Sequence, residues 1–214
     1  QETPLDAPPM GGRLIADLRI TPSGELTPRD IVDNCRARGV DVAAVIASGT
    51  IDAAVEAEQA ARSRMIIIVG QQVRTSDGEI VGLFLTSTIP DGQDLETSVA
   101  AIHGQGGVVM VPHPVWGEPP SHDLLRRHRS SLYCYETLTG STPTGRAGAA
   151  VDATLLAQRF GMLATAGSGA TTAEEIGAAH LRMRPFASPR EFLDSLGFPY
   201  VDETDNAVCG LFLR

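Results

Sequence analysis

One repeated alternation constrains this chain more than any other feature: short apolar runs, each followed within a few residues by a helix start or a turn signal. Arg13–Leu18 (RLIADL) gives way to Thr27-Pro28-Arg29-Asp30. There threonine can cap, proline is pre-set for the first turn, and an acid meets the positive end of the helix dipole. Ile31, Val32 and Cys35 form that helix's apolar stripe, and Gly39 ends it. The pattern then recurs. Val42–Ile46 precedes a helix that starts at Thr50 and carries Ala54, Val55 and Ala61, and Met65–Val69 is an almost wholly apolar strand. Between Val73 and Leu85, Ser76-Asp77-Gly78-Glu79 reads as a hairpin turn. Leu95–Ile102 predicts a helix, and Val108–Val111 and Leu132–Leu138 predict strands. Ala149–Phe160 predicts a helix with Leu155, Leu156 and Phe160 on one side. Met162–Ala166 predicts a strand, Thr172–Ala179 a helix and Pro189–Leu196 the last helix.

Apolar strands alternating with amphipathic helices imply a parallel sheet covered by helices. At least six such units, without a Gly-x-Gly-x-x-Gly loop, favour a closed barrel over a dinucleotide-binding sheet. A length of 214 residues supports one core. Residues 1–12, rich in proline and glycine, read as an irregular lead-in. A single domain is expected over 13–214, with 197–214 as a short tail or edge strand.

The formal net charge of -9 argues against nucleic acid or an anionic membrane as a partner, because both require a basic surface. No apolar run approaches the ~18 residues that span a bilayer. The opening QETPLDAPPMGG has neither the basic nor the apolar segment of an export signal. Cys35, Cys134 and Cys209 lack paired or metal-like spacing, and the first two read as small buried hydrophobes. That usage fits a reducing, cytoplasmic setting.

Six stretches carry the chemistry, each at or just beyond the end of an expected strand: Asp17-Leu18-Arg19-Ile20-Thr21, Ile46-Ala47-Ser48-Gly49-Thr50, Gly70-Gln71-Gln72, Gly106 to Pro114 with His113, Glu136, and Gly167-Ser168-Gly169-Ala170-Thr171. In this order they resemble the Asp-x-His-x-His, Thr-Asp-His-Asp, Gly-x-Glu, Gly-Gly…His-Pro, strand-five Glu and Gly-Ser-Asp-Ala-His motifs of the polymerase and histidinol phosphatase (PHP) superfamily. Gly78 to Phe84 and Glu175-Ile176-Gly177 agree as well. The resemblance covers most of residues 13–196. It implies an α/β fold, a distorted seven-stranded (β/α)7 TIM-like barrel of PHP type with its site at the carboxyl ends of the strands. Active relatives hold two or three divalent metals there and hydrolyse phosphoesters.

The departures set the functional expectation. Where the family pattern has metal-binding histidines, this chain has Arg19, Thr21, Ser48 and Thr171; where it has carboxylates, Ala47, Gln72 and Gly169. Alanine and glycine coordinate nothing, hydroxyls are poor ligands beside imidazole, and glutamine brings oxygen without charge. His113 and Glu136 remain, with Asp17 nearby, and two ligands on different strands cannot build a two-metal clamp. No metal or other cofactor is therefore expected. The expected protein is one without metal-dependent phosphoesterase activity, whose barrel mouth binds a small anionic or polar molecule or a protein partner. Asp17, Arg19, Thr21, Ser48, Gln72, His113, Glu136, Ser168 and Thr171 are its candidate binding residues. The alternative is a repurposed metal-independent enzyme using His113 and Glu136, or residual phosphoesterase activity. Arg19 itself has two readings: its guanidinium grips an anionic oxygen, or it neutralises Asp17, Glu136 or both.

Overall fold

The computed structural model describes residues 13–62, 65–114, 118–140 and 147–197, with backbone alone for 147–152. The expected lead-in 1–12, nearly all of the expected tail and Cys209 lie outside the described residues. The chain runs β1 (Leu14–Ile20), α1 (Pro28–Ala37), β2 (Val42–Ser48), α2 (Asp52–Ala61), β3 (Ile66–Thr75), β4 (Gly78–Leu83), α3 (Leu95–Gly104), β5 (Val108–Val111), α4 (His122–His128), β6 (Cys134–Thr139), α5 (Ala147–Phe160), β7 (Leu163–Gly167), β8 (Leu181–Met183) and α6 (Pro189–Leu196). Local chemistry sets the helix starts. Thr27 accepts the Asp30 N–H while the Asp30 carboxylate receives the Thr27 N–H, a reciprocal cap ahead of Pro28. Asp94, Ser121 and Ser188 cap α3, α4 and α6 with their side chains, which accept the N–H groups of Thr97, Leu124 and Glu191.

The strands form one sheet in the order β7-β6-β5-β4-β3-β2-β1-β8. Parallel pairing joins β1 to β2, β2 to β3, β5 to β6 and β6 to β7; β4 runs antiparallel between β3 and β5. The sheet then nearly closes. Gly169 N–H donates to the Arg19 carbonyl at 2.8 Å, and Thr21 N–H donates to the Ala170 carbonyl at 2.8 Å. The free edge of β1 is thus shared: its first half pairs with β8 and its end with the chain leaving β7.

Side chains alternate between two apolar layers. Leu14, Ala16, Leu18, Val42, Ala44, Ile46, Ile68, Val81, Leu83, Val108, Met110 and Cys134 fill the barrel interior. Val45, Ile67, Val69, Val109, Val111 and Tyr135 face outward to meet the helices. Burial on both faces explains runs such as Val42–Ala47 that show no alternation.

Three expectations need correction. The sheet has eight strands rather than seven, because the three-residue β8 adds an antiparallel strand beside β1. Its Leu181-Arg182-Met183 is too short and too polar to stand out as an apolar run. Second, Thr172–Ala179 is not a helix: a single 3₁₀ turn at Ala173–Glu175 gives way to Gly177 at φ +79°. The Gly177 N–H is taken by Asp17 instead of a helical carbonyl. Third, Leu155 is 52% exposed; the buried stripe of α5 is Ala153, Ala157 and Phe160, spaced i, i+4, i+7.

Candidate functional site

A register shift builds the site. Asp17 pairs with Ala43 and Ile20 with Val45, so β1 carries one extra residue between them. Strict alternation would turn Ile20 inward and Arg19 outward. With the extra residue, Leu18 still fills the interior, Ile20 joins the outer layer, and the Arg19 side chain enters the carboxyl end of the barrel. A second shift, between Glu136 and Leu138 in β6, lies directly beyond Glu136.

Arg19 is 1% exposed. Its Nη1 donates to Glu136 Oε2 at 3.3 Å and its Nη2 to Gln72 Oε1 at 2.6 Å. Each acceptor is itself held. Glu136 Oε2 also receives the backbone N–H of His113 at 3.0 Å, and Gln72 Nε2 donates to Glu79 Oε2 at 3.2 Å. Glu79 in turn meets the exposed Arg74 across the hairpin, 3.8 Å between Oε1 and Nε. A polar chain therefore runs from the buried centre to the surface. Glu136 Oε1 is buried and has no hydrogen-bond partner among the described residues.

Asp17 serves the backbone. Its Oδ1 accepts N–H groups of Arg19 at 3.2 Å and Ser168 at 2.8 Å, and its Oδ2 that of Gly177 at 2.9 Å. One carboxylate thus ties β1 to the end of β7 and to the turn before β8. Burial pushes Asp17 above the ordinary carboxylate range, and these hydrogen bonds pull it partly back. Burial likewise raises Glu136, opposed chiefly by the Arg19 charge and the His113 N–H. His113 is held below its usual value, first by burial and then by Arg19, so its imidazole is neutral at neutral pH.

The remaining expected residues divide. Ser168 Oγ donates to the Arg19 carbonyl at 3.2 Å and accepts the Ala170 N–H at 3.1 Å, which makes it part of the seam between β7 and β1. Ser48 is exposed at the end of β2, opposite Gln72 in register. Thr21 is half-buried. Thr171 is exposed, and its N–H and hydroxyl both meet Glu175. Arg19, Gln72, His113 and Glu136 thus form one bonded cluster, joined to Asp17 and Ser168 through the backbone of Arg19; Thr21, Ser48 and Thr171 lie at strand ends. Glu79 and Gln71 were not among the candidate site residues. Glu79 sat inside the hairpin signal, where the register Arg74–Glu79 would have paired it. Gln71 points to the outer face and clamps a loop, donating to the Ile89 carbonyl at 2.7 Å and accepting its N–H at 2.9 Å.

No protein-family model matches the chain. Two uncharacterized proteins of Methanocaldococcus jannaschii are similar in part. One is 34% identical over 88 residues, 41% of this chain and 52% of its own length. The other is 40% identical over 47 residues, 22% of this chain and 20% of its own length. The chain thus spans about half the length, or less, of the curated relatives it matches. Among solved structures, a presumed metal-dependent phosphoesterase from Bifidobacterium adolescentis has TM-score 0.59 at 15% identity, covering 72% of this chain and 86% of that one. An amidohydrolase from Chromobacterium violaceum, solved with bound sulfate and no metal, has TM-score 0.61 at 18% identity, covering 85% and 96%. PsfC from Pseudomonas syringae has TM-score 0.58 at 15% identity, covering 86% and 89%. The fold is a distorted, nearly closed barrel of the kind found in metal-dependent phosphoesterases and amidohydrolases.

That likeness raises the question of a metal, and the donor set answers it. No group of three or more His, Cys, Asp or Glu among the described residues could hold an ion. Both oxygens of Asp17 face backbone N–H groups, and Glu136 already carries a guanidinium. Gly169, at φ +67°, turns the backbone toward Arg19 and offers no side chain. The residues do not fit a metal centre. No helix among the described residues is long and apolar enough to cross a membrane.

Proposed function

We propose that this is a metal-free, PHP-like barrel that does not hydrolyse phosphoesters and binds a small anionic or polar molecule, or a protein partner, at its mouth. One observation carries the reading: at the carboxyl end of the strands, a buried guanidinium sits on Glu136 and Gln72. A two-metal hydrolase must clamp the attacking and leaving oxygens with divalent ions, and here one fixed unit charge is already paired with a carboxylate and an amide. The motif order of the PHP superfamily supports the family assignment. The exposed hydroxyls of Ser48 and Thr171 and the half-buried Thr21 and Gln72 supply neutral hydrogen-bonding groups for a ligand. The sulfate held by the Chromobacterium violaceum amidohydrolase makes an anion the first class to try. Asp17, Arg19, His113, Glu136 and Ser168 then act as the rigid floor below it.

Two assays test this function. Purified protein is incubated with p-nitrophenyl phosphate and bis(p-nitrophenyl) phosphate over manganese, zinc and magnesium, and no turnover above buffer is expected. A thermal-shift screen of phosphates, carboxylates and polyols should return at least one stabilising compound. Metal-stimulated turnover abolished by Glu136→Gln would overturn the non-hydrolytic reading. Turnover that needs no metal and disappears in His113→Ala would favour the repurposed enzyme.

A further inference from the structure

We infer that Arg19 is a built-in cation lodged in a guanidinium-shaped cup, and that the cup, once emptied of its side chain, takes up free guanidinium from solution. The inference rests on the metal-free half of the proposed function and on no ligand at the mouth.

Several features converge on it. The extra residue in β1 turns Arg19 inward where alternation would turn it out. Gly167 lets β7 approach the root of the side chain: a Cβ there would lie 2.5 Å from Arg19 Cβ and 2.9 Å from Arg19 Cα. At the other end, two acceptors from strands on different sides of the barrel receive the two terminal nitrogens, 3.3 and 2.6 Å away. Gln72 presents its oxygen to the cation because its amide nitrogen is engaged by Glu79. Finally, the side chain is as good as absent from the surface, at 2% exposure against 1% for Glu136. A group built to seize an external anion would show its fork to solvent; this one shows it to Glu136 and Gln72. The planar fork also matters, since lysine's single ammonium cannot reach both acceptors in fixed geometry.

Without the guanidinium, Glu136 would be a buried carboxylate lacking its counter-charge, and burial alone already raises it. Asp17, nearby, pushes it the same way. A compact planar cation in the emptied cup would restore that counter-charge and let Glu136 stay ionised, which a neutral filler cannot do. Glu136 and Gln72 together supply one charged group and one amide, which suits guanidinium and leaves a divalent metal poorly served.

The experiment measures melting temperatures of wild type, Arg19→Ala and the double variant Arg19→Ala/Glu136→Gln in millimolar guanidinium chloride. Urea serves as the neutral planar control, and sodium chloride and manganese chloride are run at matched ionic strength. Arg19→Ala should melt well below wild type. Guanidinium should raise its melting temperature saturably, by about 3–6 °C at tenfold excess over the dissociation constant. Wild type and the double variant should not respond, nor should urea or manganese replace guanidinium. Equal responses to all salts, or an Arg19→Ala variant that melts with wild type, would overturn the inference. Should Arg19→Ala not fold, Arg19→Met is compared with Arg19→Met/Glu136→Met. The single variant should melt far below wild type, with the double recovering most of the loss; a single variant as stable as wild type refutes the built-in cation. Phosphoesterase turnover, by contrast, would remove the proposed function and leave these melts to be judged on their own.

Discussion

Replacing Gly167 by alanine should force open the seam that closes the barrel. The added Cβ would sit 2.5 Å from Arg19 Cβ and 2.9 Å from Arg19 Cα, where carbon atoms prefer roughly 3.5–4.0 Å. Both neighbours are at the root of a residue whose backbone is paired on two sides, so neither can swing away. The strain must go into separating β7 from β1 or flattening the extra residue in β1. Overpacking of this kind costs about 1–3 kcal/mol. Separation also stretches Ser168 N–Asp17 Oδ1 and Gly169 N–Arg19 O, both 2.8 Å. The first is a carboxylate hydrogen bond worth about 1.5–3 kcal/mol and the second is worth about 0.5–1.5 kcal/mol, each lost in part. Alanine's lower unfolded-state entropy returns about 0.4–1 kcal/mol. A net loss of roughly 2–4 kcal/mol follows, or a fall in melting temperature of roughly 5–15 °C for a domain of this size. Urea unfolding followed by circular dichroism reads it. Gly104→Ala is the control, because a Cβ there meets nothing within 4 Å. If Gly167→Ala unfolds within about 0.5 kcal/mol of wild type, the range of an ordinary surface change, the tight seam is wrong.

Two further predictions concern groups in and around the barrel. His113 lies below the ordinary value of 6.5, so the folded chain binds fewer protons than the unfolded one. Its contribution is fully present above that value and is lost as pH falls from there through the lower folded-state value. Urea midpoints at about pH 7.5 and about pH 5.5 should therefore differ more for wild type than for His113→Gln, and equal differences would refute it. Cys35, pushed up to about 12 mainly by burial, and Cys134, raised by burial inside the barrel, should resist thiol reagents at neutral pH until the chain unfolds. Peptide mapping that finds either one labelled in the native protein within minutes would contradict this.

The strand–helix rhythm was legible because each unit carried its own chemistry. Thr27-Pro28-Arg29-Asp30 fixed a helix start through local hydrogen bonds, and the almost wholly apolar run Met65–Val69 marked the strand that begins at Ile66. What escaped depended on distant partners. Three residues of β8 become a strand because the edge of β1 awaits them, which Leu181-Arg182-Met183 does not reveal. Thr172–Ala179 has helical composition, but Gly177 gives its N–H to a carboxylate 160 positions earlier. Local propensity yields to such a contact because the buried Asp17 oxygens need hydrogen-bond partners, and the Gly177 N–H is one of them.

The site was legible in its members and not in its wiring. The stretch Asp17-Leu18-Arg19-Ile20 alternates as an ordinary strand, and on that pattern Arg19 shares a face with Asp17. The extra residue in β1 breaks the alternation, sending the Asp17 carboxylate to backbone N–H groups and the guanidinium to Glu136. Once Arg19 is inside, the other departures from the PHP pattern follow as one set. A barrel end holding several divalent ions can keep several carboxylates ionised, whereas one guanidinium can balance only one of them at close range. Gln72 therefore gains as an amide, since a carboxylate there would face Glu79 at about the 3.2 Å now bridged by its nitrogen. Ala47 and Gly169 carry no charge at positions where the pattern has carboxylates, and Gly169 is free to adopt φ +67° and donate to the Arg19 carbonyl. Placing a single carboxylate at one of these positions, without removing Arg19, would thus add an uncompensated buried charge rather than build a metal site.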